Sequence, residues 1–199
     1  MNFAKPIEEL IYQLSRLPGI GRKSAQRTAF YILEMGEERV EALIRALGEA
    51  QRTIHPCKRC NSLTEGDLCI VCLNDEREKS KLCLVEDTKE MAAIESTGKF
   101  NGYYFVLGGL LSPIKKIGPE EIHIPMLEEI LDEGNITEII MAVSPTIEGQ
   151  TTSLFISDLV KDRNIQVTEL AQGIAIGSSL EYYDAFTLSK AFDQRRIVE

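Results

Sequence analysis

The 199-residue sequence has no apolar run close to the ~18 residues that a membrane-spanning helix requires. Its first ten residues include Lys5, Glu8 and Glu9, and they lack the apolar segment of a secretory signal. We therefore expect a cytoplasmic protein. A hydrophobic content of 44%, with ordinary amounts of glycine and proline, indicates a folded, globular chain long enough for one full domain and a smaller one.

Two patterns that would indicate phosphate chemistry are also missing. No Gly-x-x-x-x-Gly-Lys-Ser/Thr pattern occurs, so we do not expect the chain to bind ATP through a P-loop. No Asp-x-Asp pair occurs either, which removes one common arrangement of magnesium ligands. Aromatic residues make up only 7% of the chain, and they indicate no stacking platform of the kind that binds single strands.

The net charge of −9 is unevenly distributed along the chain. Residues 1–56 carry a net charge of +1, whereas residues 57–199 carry −10. Between Glu9 and Glu34 there is no acid, and there are four cations: Arg16, Arg22, Lys23 and Arg27. A local basic patch on an acidic chain predicts one narrow contact with an anionic partner and not a broadly basic surface.

The basic patch coincides with a turn between two predicted helices. Apolar residues at helical spacing from Pro6 predict a first helix that Pro18 ends, and a second helix runs through Ala25 and beyond. Between them, Gly19 and Gly21 lack Cβ atoms. The turn can therefore approach a phosphate closely, and the first N–H groups of the second helix point at that phosphate.

This turn resembles the helix-hairpin-helix motif, which contacts the DNA backbone without sequence preference. Lys23 and Arg27 lie four residues apart on one face of the second helix, and Arg22 precedes them. Together with Gly19 and Gly21, they are the candidate DNA-binding residues. The alternative is an ordinary helical hairpin whose cations are simply solvated.

Four of the five cysteines form two Cys-x-x-Cys pairs that are separated by eight residues, Cys57 with Cys60 and Cys69 with Cys72. This spacing predicts a compact tetrahedral metal site. Because four thiolates leave no open coordination position, we expect a structural zinc ion. Two disulfides are the alternative, which the expected reducing compartment disfavours. The fifth cysteine, Cys83, lies in an apolar run and is expected to be a buried core thiol.

Downstream of the cysteines, segments with strand and helix character alternate. Buried strands are predicted near 82–85, 103–107, 139–143 and 165–170, with helices at about 88–96, 126–131 and 151–160. The alternation predicts a mostly parallel sheet that helices cover on both faces. A further helical stretch is expected within 178–192.

Acidic residues follow two of these strands, at the end of the sheet where α/β folds bind ligands. Glu86 and Asp87 follow the first strand, and Glu148 lies in the loop after the third. Carboxylates at these positions resemble the Toprim fold, in which a glutamate and an Asp-x-Asp pair hold magnesium for phosphoryl transfer. Because the pair is absent here, we expect the fold to be kept without its metal-dependent chemistry.

These patterns predict a multidomain chain that combines an α part with an α/β part. We place a helix-hairpin-helix module at 1–54, a four-cysteine zinc knuckle at 55–76, a Toprim domain with a mostly parallel sheet at 80–174, and a C-terminal helical tail at 175–199. The cysteine cluster thus joins two modules of different structural class.

The order of the motifs resembles the RecR family of bacterial recombination mediators over nearly the whole chain. The resemblance is carried by the hairpin turn, the cysteine knuckle and six short motifs: Leu107-Gly108-Gly109, Leu111-Ser112-Pro113, Ile117-Gly118-Pro119-Glu120, the loop at 145–149, Ala171-Gln172-Gly173 and Leu180-Glu181-Tyr182. The family typically has Asn-Pro-x-x-Glu-Gly-Glu in the third loop. Here Ser144 and Gln150 replace the Asn and the last Glu, which removes a further carboxylate.

The resemblance implies a non-enzymatic DNA clamp in recombinational repair. Such proteins associate through their terminal regions into rings, here expected to be tetramers, and act with RecO and RecF to load RecA onto single strands covered by single-strand binding protein. Lys23 and Arg27 are then expected to face DNA, with Arg22 as a weaker candidate. Glu86, Asp87 and Glu148 are expected to dock a partner protein, and the protein is expected to associate with the nucleoid when it is on DNA.

Two other functions stay open from the residues alone. One is a working Toprim enzyme, a magnesium-dependent nuclease or topoisomerase that uses Glu86 and Glu148. The other is a zinc-stabilised adaptor that never contacts DNA and whose hairpin serves only to pack. A steep fall of DNA affinity with salt separates the clamp from the adaptor, because phosphate contacts release counterions.

Overall fold

A computed structural model describes the chain over residues 3–171, 173–175 and 177–195. Gln172 of the Ala171-Gln172-Gly173 motif and the last four residues of the expected C-terminal tail lie outside these residues. The chain divides into two compact units, Met1–Ile54 and His55–Glu199, each with its own buried core. None of the helices described is both long and apolar enough to cross a membrane.

The first unit is helical, and its described part contains α1 (Lys5–Ser15), α2 (Arg22–Glu34) and α3 (Glu37–Thr53). Pro6 lies in the first turn of α1, where its missing N–H costs nothing. Ile11 of α1 packs with Ala25 and Ala29 of α2 in a small buried core. No residue of α3 is buried, although its apolar residues Val40, Leu43, Ile44 and Leu47 recur at helical spacing.

The second unit begins with the cysteine knuckle. Two short antiparallel strands, β1 (His55–Pro56) and β2 (Leu63–Thr64), lie on either side of the first cysteine pair. Between them, Asn61 has a φ of 61°, a left-handed conformation that asparagine tolerates better than most residues. The Cys57 N–H closes this turn by donating to the Ser62 carbonyl oxygen (2.6 Å).

A parallel sheet in the order β4-β3-β5-β6 forms the centre of the second unit. Its strands and helices are β3 (Glu78–Val85), α4 (Thr88–Ser96), β4 (Gly102–Val106), α5 (Ile124–Asp132), β5 (Glu138–Ala142), α6 (Ile147–Val160) and β6 (Gln166–Glu169). All of β4 and the last four residues of β3 are buried, so these strands lie in the middle of the core. Cys83 is one of these buried residues, as predicted.

Two elements, β3 and α6, begin four residues earlier than their apolar patterns predict. β3 begins at Glu78, because its exposed first residues are held by main-chain pairing with β4 and β5 and not by burial. α6 begins at Ile147 and not near Thr151. The reason is that Thr146 Oγ1 accepts a hydrogen bond from the Gly149 N–H (3.1 Å) and caps the helix. The residue predicted to lie in a loop, Glu148, is therefore in a helical turn.

The C-terminal part contains a short 3₁₀ turn at Leu180–Tyr182 and the helix α7 (Ala185–Asp193). Asp184 caps α7 by accepting hydrogen bonds from the N–H groups of Phe186 (2.9 Å) and Thr187 (3.0 Å). The predicted fold class is confirmed: a helical N-terminal region, a four-cysteine cluster, a parallel sheet with helices, and a helical C-terminal part.

Candidate nucleic-acid interface and metal centre

The turn between α1 and α2 brings two glycines to the start of α2. Gly19 has a φ of 76°, which glycine adopts without steric cost, and the Ile20 N–H donates to the Leu17 carbonyl oxygen (3.1 Å). Gly21 is the N-cap residue of α2, and its carbonyl accepts a hydrogen bond from the Ala25 N–H (2.9 Å). A Cβ on either glycine would meet nothing within 4 Å, so the space in front of the helix is open.

Three cations lie on the first two turns of α2. Arg22, Lys23 and Arg27 are exposed, and none of them forms an ion pair in the part of the chain that the structure describes. No acidic residue lies in the first turn of α2, and no side chain caps that helix. The positive end of the helix dipole and the three side-chain charges therefore act together on an anion at the turn.

The four predicted metal ligands converge in the knuckle. The sulfur atoms of Cys57, Cys60, Cys69 and Cys72 all lie within 4.8 Å of one another, and the first three residues are buried. All the cysteines are free thiols, and the sulfur atoms of Cys60 and Cys69 are 3.5 Å apart, much further than a disulfide bond. The cluster is therefore a set of four ligands that could bind one metal ion, and not a pair of disulfides.

Hydrogen-bond donors point at these sulfur atoms. The Cys69 N–H lies 3.3 Å from Cys57 Sγ, and the hydroxyl of buried Ser62 lies 3.1 Å from Cys60 Sγ. The Cys69 sulfur, together with burial, raises the pKa of Cys60 to about 12, whereas the Cys60 and Cys72 sulfurs lower the pKa of Cys69. The close sulfur atoms thus oppose simultaneous deprotonation of Cys60 and Cys69, and a bound cation would favour the thiolate form of both.

Of the three predicted docking residues, Asp87 is the one that holds α4 in place. Its Oδ1 accepts hydrogen bonds from the N–H groups of Lys89 (2.7 Å) and Glu90 (3.0 Å), and its Oδ2 pairs with Lys89 Nζ (2.9 Å). These contacts, the Lys89 side chain first, hold the pKa of Asp87 below its usual range. Both carboxylate oxygens of Asp87 are therefore engaged within the fold.

Glu86 is held by its main chain and not by its carboxylate. Its N–H donates to Glu90 Oε2 (2.7 Å), and its carbonyl oxygen accepts from the Gly108 N–H (2.9 Å). Partial burial raises the pKa of Glu86, and the neighbouring charges of Glu90 and Asp87 add to that shift. The Glu86 side chain is thus a half-buried carboxylate in acidic surroundings, where a cationic partner is favoured.

Glu148 lies in the first turn of α6 and is half-buried. Its helix follows β5, which is the sheet neighbour of β3, so Glu148 and Glu86 follow adjacent strands as predicted. Among the described residues, however, only the four cysteines form a group of metal-ligating side chains that converge. The structure therefore does not gather Glu86, Asp87 and Glu148 into such a cluster.

Two polar residues near these sites escape prediction. The composition of the spacer predicts only a turn role for Asn61, yet its Nδ2 donates to the Val106 carbonyl oxygen (2.7 Å). The imidazole of His123 contacts the Leu107 carbonyl oxygen through Nδ1 (3.0 Å). Both Asn61 and His123 have positive φ, and asparagine and histidine are enriched in that region, but no sequence pattern connects the two residues.

Comparisons with known proteins agree along the whole chain. Family models match in three places: the RecR helix-hairpin-helix at residues 7–51, the Toprim domain at 80–171 and the RecR C-terminal region at 173–196. The chain is 44% identical, over the full length of both chains, to "Recombination protein RecR" of Carboxydothermus hydrogenoformans. Proteins of the same name are also 44% identical in Pelotomaculum thermopropionicum, over 98% of this chain and 97% of the relative, and in Staphylococcus aureus, over 98% of each.

Proposed function

Because the chain belongs to the RecR family of recombination proteins, we propose that it is a non-enzymatic, DNA-binding clamp in recombinational DNA repair. It acts in the cytoplasm, at the nucleoid, with RecO and RecF to load RecA onto single-stranded DNA covered by single-strand binding protein. The observation that carries the proposal is the open, basic N-terminus of α2. That end of the helix suits a phosphate group and reads no base.

DNA contact centres on Gly19, Gly21, Arg22, Lys23 and Arg27. The glycines leave room for the backbone of the nucleic acid, and the exposed cations have no competing ion pair within the described residues. Lys23 and Arg27 are about one helical turn apart, so both can reach phosphates on the same side of α2. Because such contacts do not involve base edges, the binding is independent of sequence and sensitive to salt.

The four-cysteine cluster binds a structural zinc ion in this proposal. Four thiolates suit tetrahedral zinc and leave no coordination position for a substrate. Cys57, Cys60 and Cys69 also belong to the buried core of the second unit, so a bound ion would hold the knuckle to the sheet. With Cys60 as a metal-bound thiolate, the buried Ser62 hydroxyl, 3.1 Å from its sulfur, would donate a hydrogen bond and support the site.

Glu86, Asp87 and Glu148 form the surface that docks a partner protein, and they contribute in different ways. Asp87 caps α4 and so fixes the segment that carries Glu86. Glu86 and Glu148 present half-buried carboxylates that can receive a guanidinium or ammonium group of the partner. With Gln150 in place of a second acid, Glu148 is the one carboxylate of its segment.

Self-association into a ring, proposed to be a tetramer, uses apolar side chains that are exposed near both ends of the chain. Ile44 and Leu47 of α3 are 63% and 65% exposed, and Phe186 and Phe192 of α7 are 62% and 70% exposed. Large apolar side chains that are this exposed on a helix often mark a surface that another element covers. Terminal regions of neighbouring copies would provide that cover.

DNA binding over a salt series tests the proposal, with linear duplex, closed circular duplex and single strands in the presence of magnesium. We expect sequence-independent binding that weakens steeply with salt, without cut or relaxed products, and retention on closed circles that is lost on linear DNA. Binding that is absent at every salt concentration would favour the adaptor. Cleavage or relaxation that Glu86→Ala abolishes would instead establish a Toprim enzyme.

A further inference from the structure

The cysteine knuckle is attached to the edge of the sheet beside one of its predicted metal ligands. β4 is the outermost strand next to β3, so one side of β4 has no strand partner. On that side the Val106 N–H donates to the Cys60 carbonyl oxygen (2.8 Å), and the Val106 carbonyl oxygen accepts from Asn61 Nδ2 (2.7 Å). Two adjacent knuckle residues thus satisfy main-chain groups that an open strand edge would leave unpaired.

The same strand runs on into the turn that holds Glu86. The Leu107 N–H donates to the Val85 carbonyl oxygen (2.9 Å), and the Gly108 N–H donates to the Glu86 carbonyl oxygen (2.9 Å). The contact with the knuckle therefore lies two residues from the contact with Glu86. Because Val106 and Gly108 are only two residues apart, a displacement of Val106 would also move the Gly108 N–H that holds Glu86.

Three residues in the left-handed region lock this junction: Asn61 (φ 61°), Gly108 (φ 78°) and His123 (φ 58°). His123 Nδ1 lies 3.0 Å from the Leu107 carbonyl oxygen, within hydrogen-bonding distance. The same Nδ1 lies 3.2 Å from Asn61 Nδ2, so the two side chains are in contact. A Cβ on Gly108 would come within 3.1 Å of the imidazole, which explains the need for glycine there.

From these contacts we infer that Asn61 is a positioning residue that connects the metal-binding knuckle to the main chain of Glu86. The inference rests on the proposed function, which supplies two of its premises: that the knuckle binds a metal and that Glu86 docks a partner. While a metal holds Cys60, Asn61 holds Val106, and the turn after β4 keeps Glu86 in its docking position. When the knuckle loosens, that hold on Val106 is lost, and docking of the partner weakens.

The variant Asn61→Gly isolates the side chain, because glycine adopts the left-handed conformation without strain. Asn164→Gly is the matched control, since Asn164 also has a positive φ (52°) and is exposed. The measurement is amide hydrogen exchange of Leu107 and Gly108 by NMR in the zinc-loaded full chain, together with zinc content. We expect exchange of both amides to rise about tenfold in Asn61→Gly, and by less than about twofold in the control, with zinc content unchanged.

Unchanged exchange of Leu107 and Gly108 in Asn61→Gly would overturn the inference. Loss of zinc from that variant would also overturn it, because Asn61 would then act on the thiolate site itself. Neither result bears on DNA binding at the hairpin turn, so neither would refute the proposed clamp.

A second measurement uses the unsubstituted protein and keeps the test valid if Asn61→Gly does not fold. Removal of zinc with a chelator should raise exchange at Leu107 and Gly108 by a larger factor than at the amides of β5, whose exchange rises only as far as the whole unit is destabilised. Equal loss of protection throughout β5 would overturn a local connection. If the protein purifies without zinc and binds none, the proposed zinc site is refuted. The proposed effect of zinc on the turn after β4 is then refuted as well.

Discussion

The helical unit Met1–Ile54 and the larger unit His55–Glu199 differ in what their charged side chains contact. In the helical unit the described buried core is limited to three side chains, and the cations at the start of α2 are exposed and form no ion pair with any described residue. In the larger unit, Arg77 is buried and pairs with Glu95 (2.6 Å), and Asp87 caps a helix. In the first unit these charged side chains are free to contact a partner. In much of the second unit, charged side chains form ion pairs or hydrogen bonds within the fold.

This difference separates residues that bind from residues that hold the structure. Substituting an exposed, unpaired cation removes an interaction with a partner and leaves the fold intact. Substituting a cysteine of the knuckle or a residue packed against main chain removes part of the fold itself. The same chemical change should therefore have different consequences in the two units, and the following variants test that expectation.

The largest effect is expected from loss of a metal ligand in the larger unit. Cys57→Ser should abolish zinc binding and lower the free energy of unfolding of this unit by more than about 4 kcal/mol, as loss of a structural metal can do. Zinc analysis and urea unfolding measure the two effects. Cys83→Ala is the control, because this buried thiol, whose pKa burial raises to about 12, lies outside the knuckle and should leave zinc in place. A stable, zinc-free Cys57→Ser protein would contradict the structural role.

A glycine-to-alanine change should have opposite signs in the two units. A Cβ on Gly149 would overlap the Ser144 carbonyl oxygen, so Gly149→Ala should lower the free energy of unfolding by about 2 kcal/mol. Gly48 lies inside α3 with only Arg52 Nη1 near it (3.8 Å), so Gly48→Ala should raise that free energy by about 0.5 to 1 kcal/mol. Urea unfolding of both variants measures the two changes in the free energy of unfolding. Changes of the same sign would contradict the expected difference between the units.

In the helical unit the expected effect is on binding. The double variant Lys23→Ala with Arg27→Ala should weaken DNA binding about ten- to a hundredfold and reduce the slope of log affinity against log salt by about 2. The matched control is Arg39→Ala with Arg52→Ala, which removes the same charge from exposed positions on α3. Binding assays over a salt series measure the effect, and circular dichroism should show unchanged helicity. Equal losses in both double variants would indicate nonspecific attraction and not a site at the turn.

The smallest effect concerns the partly buried ion pair between Arg77 and Glu95 in the larger unit. Arg77 donates to both carboxylate oxygens of Glu95 (2.6 and 3.1 Å), and this contact lowers the pKa of Glu95. The pair therefore stabilises the fold at pH values above the ordinary pKa of a glutamate. This contribution to the free energy of unfolding is lost as the pH falls through the lowered pKa that Glu95 has in the folded state.

Urea unfolding of the unsubstituted protein and of Glu95→Gln at several pH values measures this contribution. Between about pH 6 and about pH 3 the unsubstituted protein should lose about 1 kcal/mol more stability than Glu95→Gln, because solvent partly screens the pair. Protonation of the cysteine cluster affects both proteins alike and cancels in the difference. Parallel pH profiles would show that the pair adds nothing to stability.

Apolar periodicity predicts most helices and strands, and it fails where main-chain contacts act alone. The helix Thr88–Ser96 has the predicted bounds, since the capping Asp87 and the apolar spacing are both visible in the sequence. The start of β3 at Glu78 is not predictable in this way, because its polar residues are placed by pairing with two neighbouring strands. Periodicity reports side-chain burial and does not detect strand pairing.

The candidate sites show the same limit. Convergence of the four cysteines is predictable, because each Cys-x-x-Cys pair is a local turn. The contact between Asn61 and His123 joins residues 62 positions apart, and it depends on where the fold places the start of α5. No pattern within either segment indicates the other.

By itself, the sequence determined the features that depend on residues close together along the chain: the hairpin turn with its glycines, the thiol cluster, and the alternation of strands and helices. Only the tertiary structure decided which polar side chains are engaged, such as Asp87 on α4, Arg77 against Glu95 and Asn61 on Val106. The physical reason is that a polar group in a fold is stable only with a partner at hydrogen-bonding distance, and that partner comes from a distant part of the chain as readily as from a near one.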